Sequence, residues 1–198
     1  MMNYSIYAES TPNPEVMKFV ANRMLADKSI EITTLEDAKG ISIAEELLKF
    51  PFVKSIYLSS NFISVSKTET IEWENIAMQL RIFITDHLNN NGIKNYTQHL
   101  TTKTKTAAEN TNDKKTIIKE FTNSEKEIEA ILNEYIAPAV ESDGGAIILN
   151  YYKDNIVCVD LKGACSGCPS STSTLKGGIE ALLKQKINPN IEVIANEK

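Results

Sequence analysis

Residues 93–123 are rich in Thr, Lys and Asn and carry almost no periodic apolar positions. Such a stretch cannot bury enough surface to offset the entropy of ordering it. It reads as a solvated tether, Lys103 and Lys105 included, and it prevents the 198 residues from sharing one core. The expected architecture is α+β: two small α+β domains joined by a flexible polar linker. The boundaries fall at residues 1–92, 93–123 (the linker) and 124–198. Domains of this size bury a smaller share of their surface than larger ones do, so each is expected to be marginally stable by itself.

Local patterns fill in the first domain. Residues 17–21 (MKFVA) and 29–32 read as short strands, after a turn at Thr11-Pro12-Asn13-Pro14. Residues 41–50 place Ile43, Leu47 and Phe50 on one helical face, and Pro51 ends that helix. Apolar runs at 53–58 and 62–65, around Ser59-Ser60-Asn61, predict a hairpin. Residues 72–88 then predict an amphipathic helix with Ile76, Leu80, Phe83, Ile84 and Leu88 inward, while Trp73 is assigned to core packing.

The second domain predicts the order α-β-β-α-β. Ser124 is the expected cap of its first helix, with Glu127 in capping-box position and Ile128, Ile131, Leu132 and Tyr135 as the buried stripe. Pro138 is expected to disrupt that helix near its end. Asp143-Gly144-Gly145 reads as a turn. Strands follow at 146–152 and 156–161 around Asp154-Asn155, then a helix at 169–184 burying Leu175, Ile179, Leu182 and Leu183, and a last strand at 191–194.

The chemistry concentrates in Gly163-Ala164-Cys165-Ser166-Gly167-Cys168-Pro169-Ser170-Ser171, which joins a strand to a helix. Pro169 suits a first helical turn, and the hydroxyls of Ser170, Ser171 and Thr172 can satisfy amides there. Two thiols thus sit at the positive end of a helix dipole. That position favours thiolates by about 0.3–2 kcal/mol each and suits an anionic cluster. Gly163 and Gly167 allow a tight turn whose amides can point at sulfur.

A lone C-x-x-C is only moderately specific. Iron–sulfur clusters and structural zinc both generally take four ligands, and this motif supplies two. Cys158 is a poor third, because Val157, Val159 and Leu161 form the inward face of its strand and Cys158 points the other way. His87 lies beside Leu80 and Ile84 on its helix and reads as a boundary core residue, and His99 as solvated. The simplest route to four thiolates is two chains about a twofold axis. The main rival is a dithiol–disulfide oxidoreductase using the same C-x-x-C. Against it, too few residues follow Cys168 to complete a thioredoxin-like sheet, and Gly163-Ala164 stands where an aromatic start is usual. A zinc-linked interaction module is the third class.

The formal charge is −5, and neither half has the basic excess that phosphate neutralisation needs, so nucleic acid is not an expected partner. The first residues lack a basic segment followed by an apolar run, and no stretch is apolar enough to span a bilayer, so no signal peptide and no membrane partner are expected. Three cysteines are too few for a disulfide scaffold, which points to a reducing compartment, expected to be the cytoplasm. No general base, partnered nucleophile or phosphate loop is recognisable, so an enzyme is not expected. Gly177-Gly178 falls inside a helix, where it is expected to permit close packing.

With these residues in view, the second domain resembles the NifU-like domain of the Nfu family of iron–sulfur proteins. The resemblance is carried by PAVESDGG, VCVDLKGACSGCPSSTSTLKGGIEALLK and the closing IEVI. The first domain resembles the one that often precedes it, through TPNPEVMKFV and FVKSIYLSSNFISVSK. The resemblance implies a carrier or scaffold that holds a [4Fe–4S] cluster, or a [2Fe–2S] form, between the C-x-x-C motifs of two subunits. Cys165 and Cys168 would be the ligands, shaped by Gly163, Gly167 and Pro169. Implied partners are a second copy of the chain, an upstream cluster scaffold and apo iron–sulfur clients. Many relatives carry an acid where this chain has Ala146.

Overall fold

The computed structural model describes residues 3–92, 122–166 and 169–196, with the side chains of 169–172 left aside. The chain divides into two compact units, residues 1–9 with 15–119 and residues 10–14 with 120–198. Both mix sheet and helix, giving the α+β class.

The first unit is built on a sheet ordered β1-β2-β5-β4-β3, from β1 (Ile6–Ser10), β2 (Val16–Ala21), β3 (Ile30–Ile32), β4 (Val53–Ser59) and β5 (Phe62–Lys67). The β2–β5, β4–β5 and β3–β4 pairs are antiparallel. Alternating side chains explain one face: Ile56 and Leu58 of β4 and Ile63 and Val65 of β5 are buried in one cluster. Helix α3 (Trp73–Asn91) lays Ile76, Leu80, Ile84 and Leu88 into that cluster, a four-residue spacing that keeps them on one stripe. Trp73 packs at its edge, T-shaped against Phe19 with ring centroids 6.5 Å apart. Phe83 is only partly buried. Two short helices, α1 (Leu35–Ala38) and α2 (Ser42–Leu47), connect β3 to β4. The helix expected to run to Phe50 therefore stops earlier, and neither α1 nor β1 was expected. Ser60, in the tight hairpin connection, takes φ 47°.

The second unit opens with α4 (Asn123–Ile131), continues through a π-helical turn (Leu132–Ile136) into α5 (Ala137–Ser142), and then forms β6 (Gly145–Lys153) and β7 (Ile156–Gly163). Helix α6 (Pro169–Lys186) crosses to β8 (Glu192–Ala195). The sheet order is β6-β7-β8, with β6–β7 antiparallel and β7–β8 parallel. The parallel pair explains the helix between its strands, since such a connection cannot be a tight turn. The core gathers Ile128, Leu132, Val140, Ile147, Leu149, Val157, Val159, Ile179, Leu183 and Val193.

Three expectations here need correction. The cap of α4 is Thr122, not Ser124, with Glu125 completing the capping box. That register wins because Glu125 is 2% exposed and does further work inside the unit. It accepts from Thr122 N and Thr122 Oγ1 at 2.9 Å, and its other oxygen accepts from Tyr152 N at 3.2 Å. Pro138 disrupts the helix near its end, as expected, without terminating it. A π turn precedes the proline, and such a turn accommodates a proline's missing N–H and its clash one turn back. The wider turn also takes Tyr135 off the buried stripe, leaving it 47% exposed with Lys186 Nζ over its ring at 4.2 Å. Finally, Gly177 and Gly178 do not serve close packing: both are exposed, and a Cβ on either would meet nothing within 4 Å.

Candidate functional site

The cysteine-bearing loop begins where β7 ends. Gly163 takes φ 61°, a left-handed conformation that disfavours side chains, and turns the chain off the sheet. Ala164, Cys165 and Ser166 follow, and Pro169 opens α6. Cys168 and Gly167, expected as ligand and loop-shaping residue, lie outside the described residues. The expected capping side chains of Ser170, Ser171 and Thr172 are likewise outside them.

Cys165 is 7% exposed and packs into the core of its unit. Its surroundings come largely from the segment before β6. Gly144 takes φ 82°, and its carbonyl accepts from Ala164 N at 3.2 Å. Cys165 N donates to Lys162 O at 3.4 Å and Ser166 N to Gly163 O at 3.1 Å. Among the described residues, the amides of Ala164, Cys165 and Ser166 are thus engaged with backbone carbonyls, because the tight turn at Gly163 closes them onto the chain itself. Ala139, Val140, Asp143, Thr174 and Leu175 share with Cys165 the lining of one cavity. A buried thiol in an apolar, backbone-tied seat beside a helix start suits a soft metal centre.

Cys158 lies apart from this loop. It sits on β7 in register with Tyr151 and Ile194, facing away from Val157 and Val159 as its strand position predicts. It is nonetheless buried, at 3% exposed. Burial pushes its thiol above the usual range, opposed by a hydrogen bond with Tyr151 and reinforced by Asp160. A raised thiol pKa disfavours the thiolate that metal ligation needs. His87 is in the first unit, its Nε2 3.0 Å from Ser42 Oγ and its ring beside Phe83. Burial lowers its basicity, with Glu46 acting in the opposite sense. It is a half-buried packing residue, and His99 lies outside the described residues.

Two residues of consequence were missed from sequence. Gly145 lies against Cys165, and Glu125 ties α4 to β6. The signal for Gly145 is the double glycine itself, whose first member makes the turn and whose second leaves space beside Cys165.

These features define an α+β protein of two units whose second unit carries a cysteine loop between a strand and a crossover helix. Residues 6–91 match the family described as scaffold protein Nfu/NifU N terminal, and residues 128–194 match the NifU-like domain. The human protein named NFU1 iron-sulfur cluster scaffold homolog, mitochondrial, is 30% identical over 189 residues, covering 94% of this chain and 69% of the relative. NifU-like protein 4, mitochondrial, of Arabidopsis thaliana is 27% identical over 186 residues, covering 92% of this chain and 62% of that protein. The solution structure of a Saccharomyces cerevisiae NifU-like protein aligns with a TM-score of 0.41 at 22% identity, covering 46% of this chain and 87% of that one. This chain belongs to the Nfu family of iron–sulfur proteins, with both its N-terminal and its C-terminal domain.

One expectation is overturned by these relatives. The human, Drosophila ananassae and Arabidopsis proteins are named mitochondrial, against the cytoplasmic assignment. A low cysteine count separates reducing from oxidising compartments but does not choose among the reducing ones. Among the described residues, no helix is long and apolar enough to cross a membrane.

Proposed function

We propose that the protein is an iron–sulfur cluster carrier or scaffold, in which Cys165 and Cys168 of two chains together hold one [4Fe–4S] cluster and release it to apo-proteins. The observation that carries this reading is the seat of Cys165: a buried thiol on a glycine-shaped turn at the head of α6, within the stretch matching the NifU-like domain. The names of the human and Arabidopsis relatives support the same class of role. Cluster iron generally takes four protein ligands, and the C-x-x-C of one chain supplies two. A second copy of the chain supplies the other pair. Sharing also provides for release, because parting the chains removes half the ligands at once. The cluster is cargo, and the protein's part is to bind, shield and hand over rather than to turn over a substrate. In this reading the chain has three parts, with 1–92 serving partner recognition, 93–123 as tether and 124–198 as cluster carrier.

Anaerobic reconstitution of the full chain with iron and sulfide tests the reading. Expected are broad visible absorption, iron and sulfide near four each per dimer, and a mass of two chains in solution. Cys165→Ser and Cys168→Ser should each abolish cluster binding, and Cys158→Ser should leave it nearly intact. A colourless monomer that reduces disulfides would instead identify a dithiol oxidoreductase, and stoichiometric zinc without iron an interaction module. Retention of the full iron complement after both loop cysteines are replaced would end the proposal.

A further inference from the structure

Gly145 is the first residue of β6, in register with Gly163 at the last rung of the β6–β7 ladder. Its neighbour Gly144 has a clear conformational reason to be glycine, at φ 82°. Gly145 has no such reason, since it is not among the residues with positive φ. What its position demands is space. A Cβ there would lie 2.6 Å from Lys162 O, 2.8 Å from Cys165 Sγ and 3.0 Å from Cys165 N.

Two of those three atoms are backbone, so no change of rotamer relieves the collision. Either β6 moves back, which its ladder with β7 opposes, or the turn carrying Cys165 lifts away. The turn is the softer side. It is held by single hydrogen bonds rather than by a ladder: Ala164 N on Gly144 O at 3.2 Å, Asn13 Nδ2 on Ala164 O at 3.1 Å and on Ser166 O at 3.4 Å, Cys165 N on Lys162 O at 3.4 Å and Ser166 N on Gly163 O at 3.1 Å. The adjacent glycines therefore divide the labour: Gly144 supplies the bend and the acceptor, and Gly145 the clearance.

We infer that Gly145 is a positioning residue for Cys165: the absence of a side chain there forms the seat in which the thiol is held for metal ligation. The ligand set itself belongs to the function proposed above, and the inference rests on that reading only for its second readout. The first needs no iron.

The test uses the full chain with Cys158→Ser and Cys168→Ser, so that Cys165 is the sole thiol. In the iron-free parent, 5,5′-dithiobis(2-nitrobenzoate) should label Cys165 more than about tenfold more slowly in the folded protein than in denaturant, as expected of a buried thiol. Gly145→Ala should raise the folded-state rate by about tenfold or more. In the protein with all three cysteines, the same substitution should speed loss of the reconstituted cluster to a chelator by a similar factor. Ile179→Val is the control, a core change that lowers stability without touching the loop, and it should alter neither rate by more than about twofold at temperatures where both variants are folded.

A labelling rate unchanged by Gly145→Ala, or raised equally by Ile179→Val, overturns the inference. Should Gly145→Ala fail to fold, the parent still decides: equal labelling in folded and denatured protein means that no seat exists. A parent that labels slowly, with no cluster taken up by the protein that keeps all three cysteines, would refute the carrier reading while leaving Gly145's role intact.

Discussion

The two units solve the same problem with different materials. In the first, a five-stranded sheet and one long helix bury a large apolar cluster, and side chains with chemistry stay at its margins. In the second, a three-stranded sheet offers less apolar surface, and carboxylates complete the joints. Glu125 of α4 accepts from Tyr152 N on β6, and Glu180 of α6 accepts from Val193 N on β8 at 3.1 Å. Glycines then make room for the cysteine loop. The second unit depends on a few specific polar and steric fits, where the first depends on area. The single tryptophan, Trp73, lies in the first unit, so its fluorescence follows that unit while far-UV circular dichroism follows both.

The largest effect should come from Glu125→Ala. It leaves Tyr152 N and the start of α4 without their acceptor, and loss of a cap together with an orphaned buried donor costs about 2–4 kcal/mol. The expected outcome is an earlier transition by circular dichroism with the Trp73 transition unmoved. A shift of the Trp73 transition by the same amount would dissolve the distinction between the units. Next is Gly163→Ala, at φ 61°, where a side chain in the left-handed region costs about 1–2 kcal/mol. Denaturant midpoints measure it, again in the second unit alone.

Gly177→Ala should act in the opposite direction. The position is exposed in the middle of α6, and a Cβ there meets nothing within 4 Å. Replacing a helical glycine by alanine should therefore stabilise the unit by about 0.5–1 kcal/mol. The substitution that disrupts at Gly145 would thus strengthen at Gly177, a contrast that separates glycine needed for space from glycine that is merely tolerated. A destabilised Gly177→Ala would mean that a Cβ at this position meets a neighbour in solution.

How much of this was legible in the sequence follows the same division. Short apolar runs placed β2, β4 and β5, and helical spacings placed α3 and α6, while alternation gave the inward face of β7, because burial imposes those patterns. They failed where geometry is set by one contact. The cap of α4 was misplaced by two residues because both registers offer a capping box, and the choice depends on Tyr152, 27 positions away from Glu125. The meeting of Gly145 with Gly163 was hidden by an irregularity in β6 between Leu149 and Tyr151. Counting back from the Asp154-Asn155 turn, where Lys153 pairs with Ile156, puts Gly145 opposite Ala164, and only the bulge moves it to Gly163. Cys165 was found because its neighbours announce a strand-to-helix turn, but the clearance that seats it belongs to a residue twenty positions earlier.

The smallest and most discriminating effect is in acid. His87 in the first unit has its basicity lowered by burial, so the unfolded chain takes up a proton first as pH falls through the ordinary value of 6.5. The stability tied to its neutral form is present above 6.5 and declines below it. Glu180 in the second unit is lowered from 4.5, first by its hydrogen bond with Lys184 and then by Val193 N. Its contribution is present above 4.5 and is lost only as pH falls below that value, toward its folded-state pKa. Lowering the pH from 7 to 5 should therefore move the Trp73 transition before it touches the remainder of the circular dichroism change. His87→Gln should flatten the first response, and Glu180→Gln should flatten the later one. If the second unit yields first on acidification, or if His87→Gln leaves the Trp73 profile unchanged, apolar area and carboxylate joints are not what divides the two units.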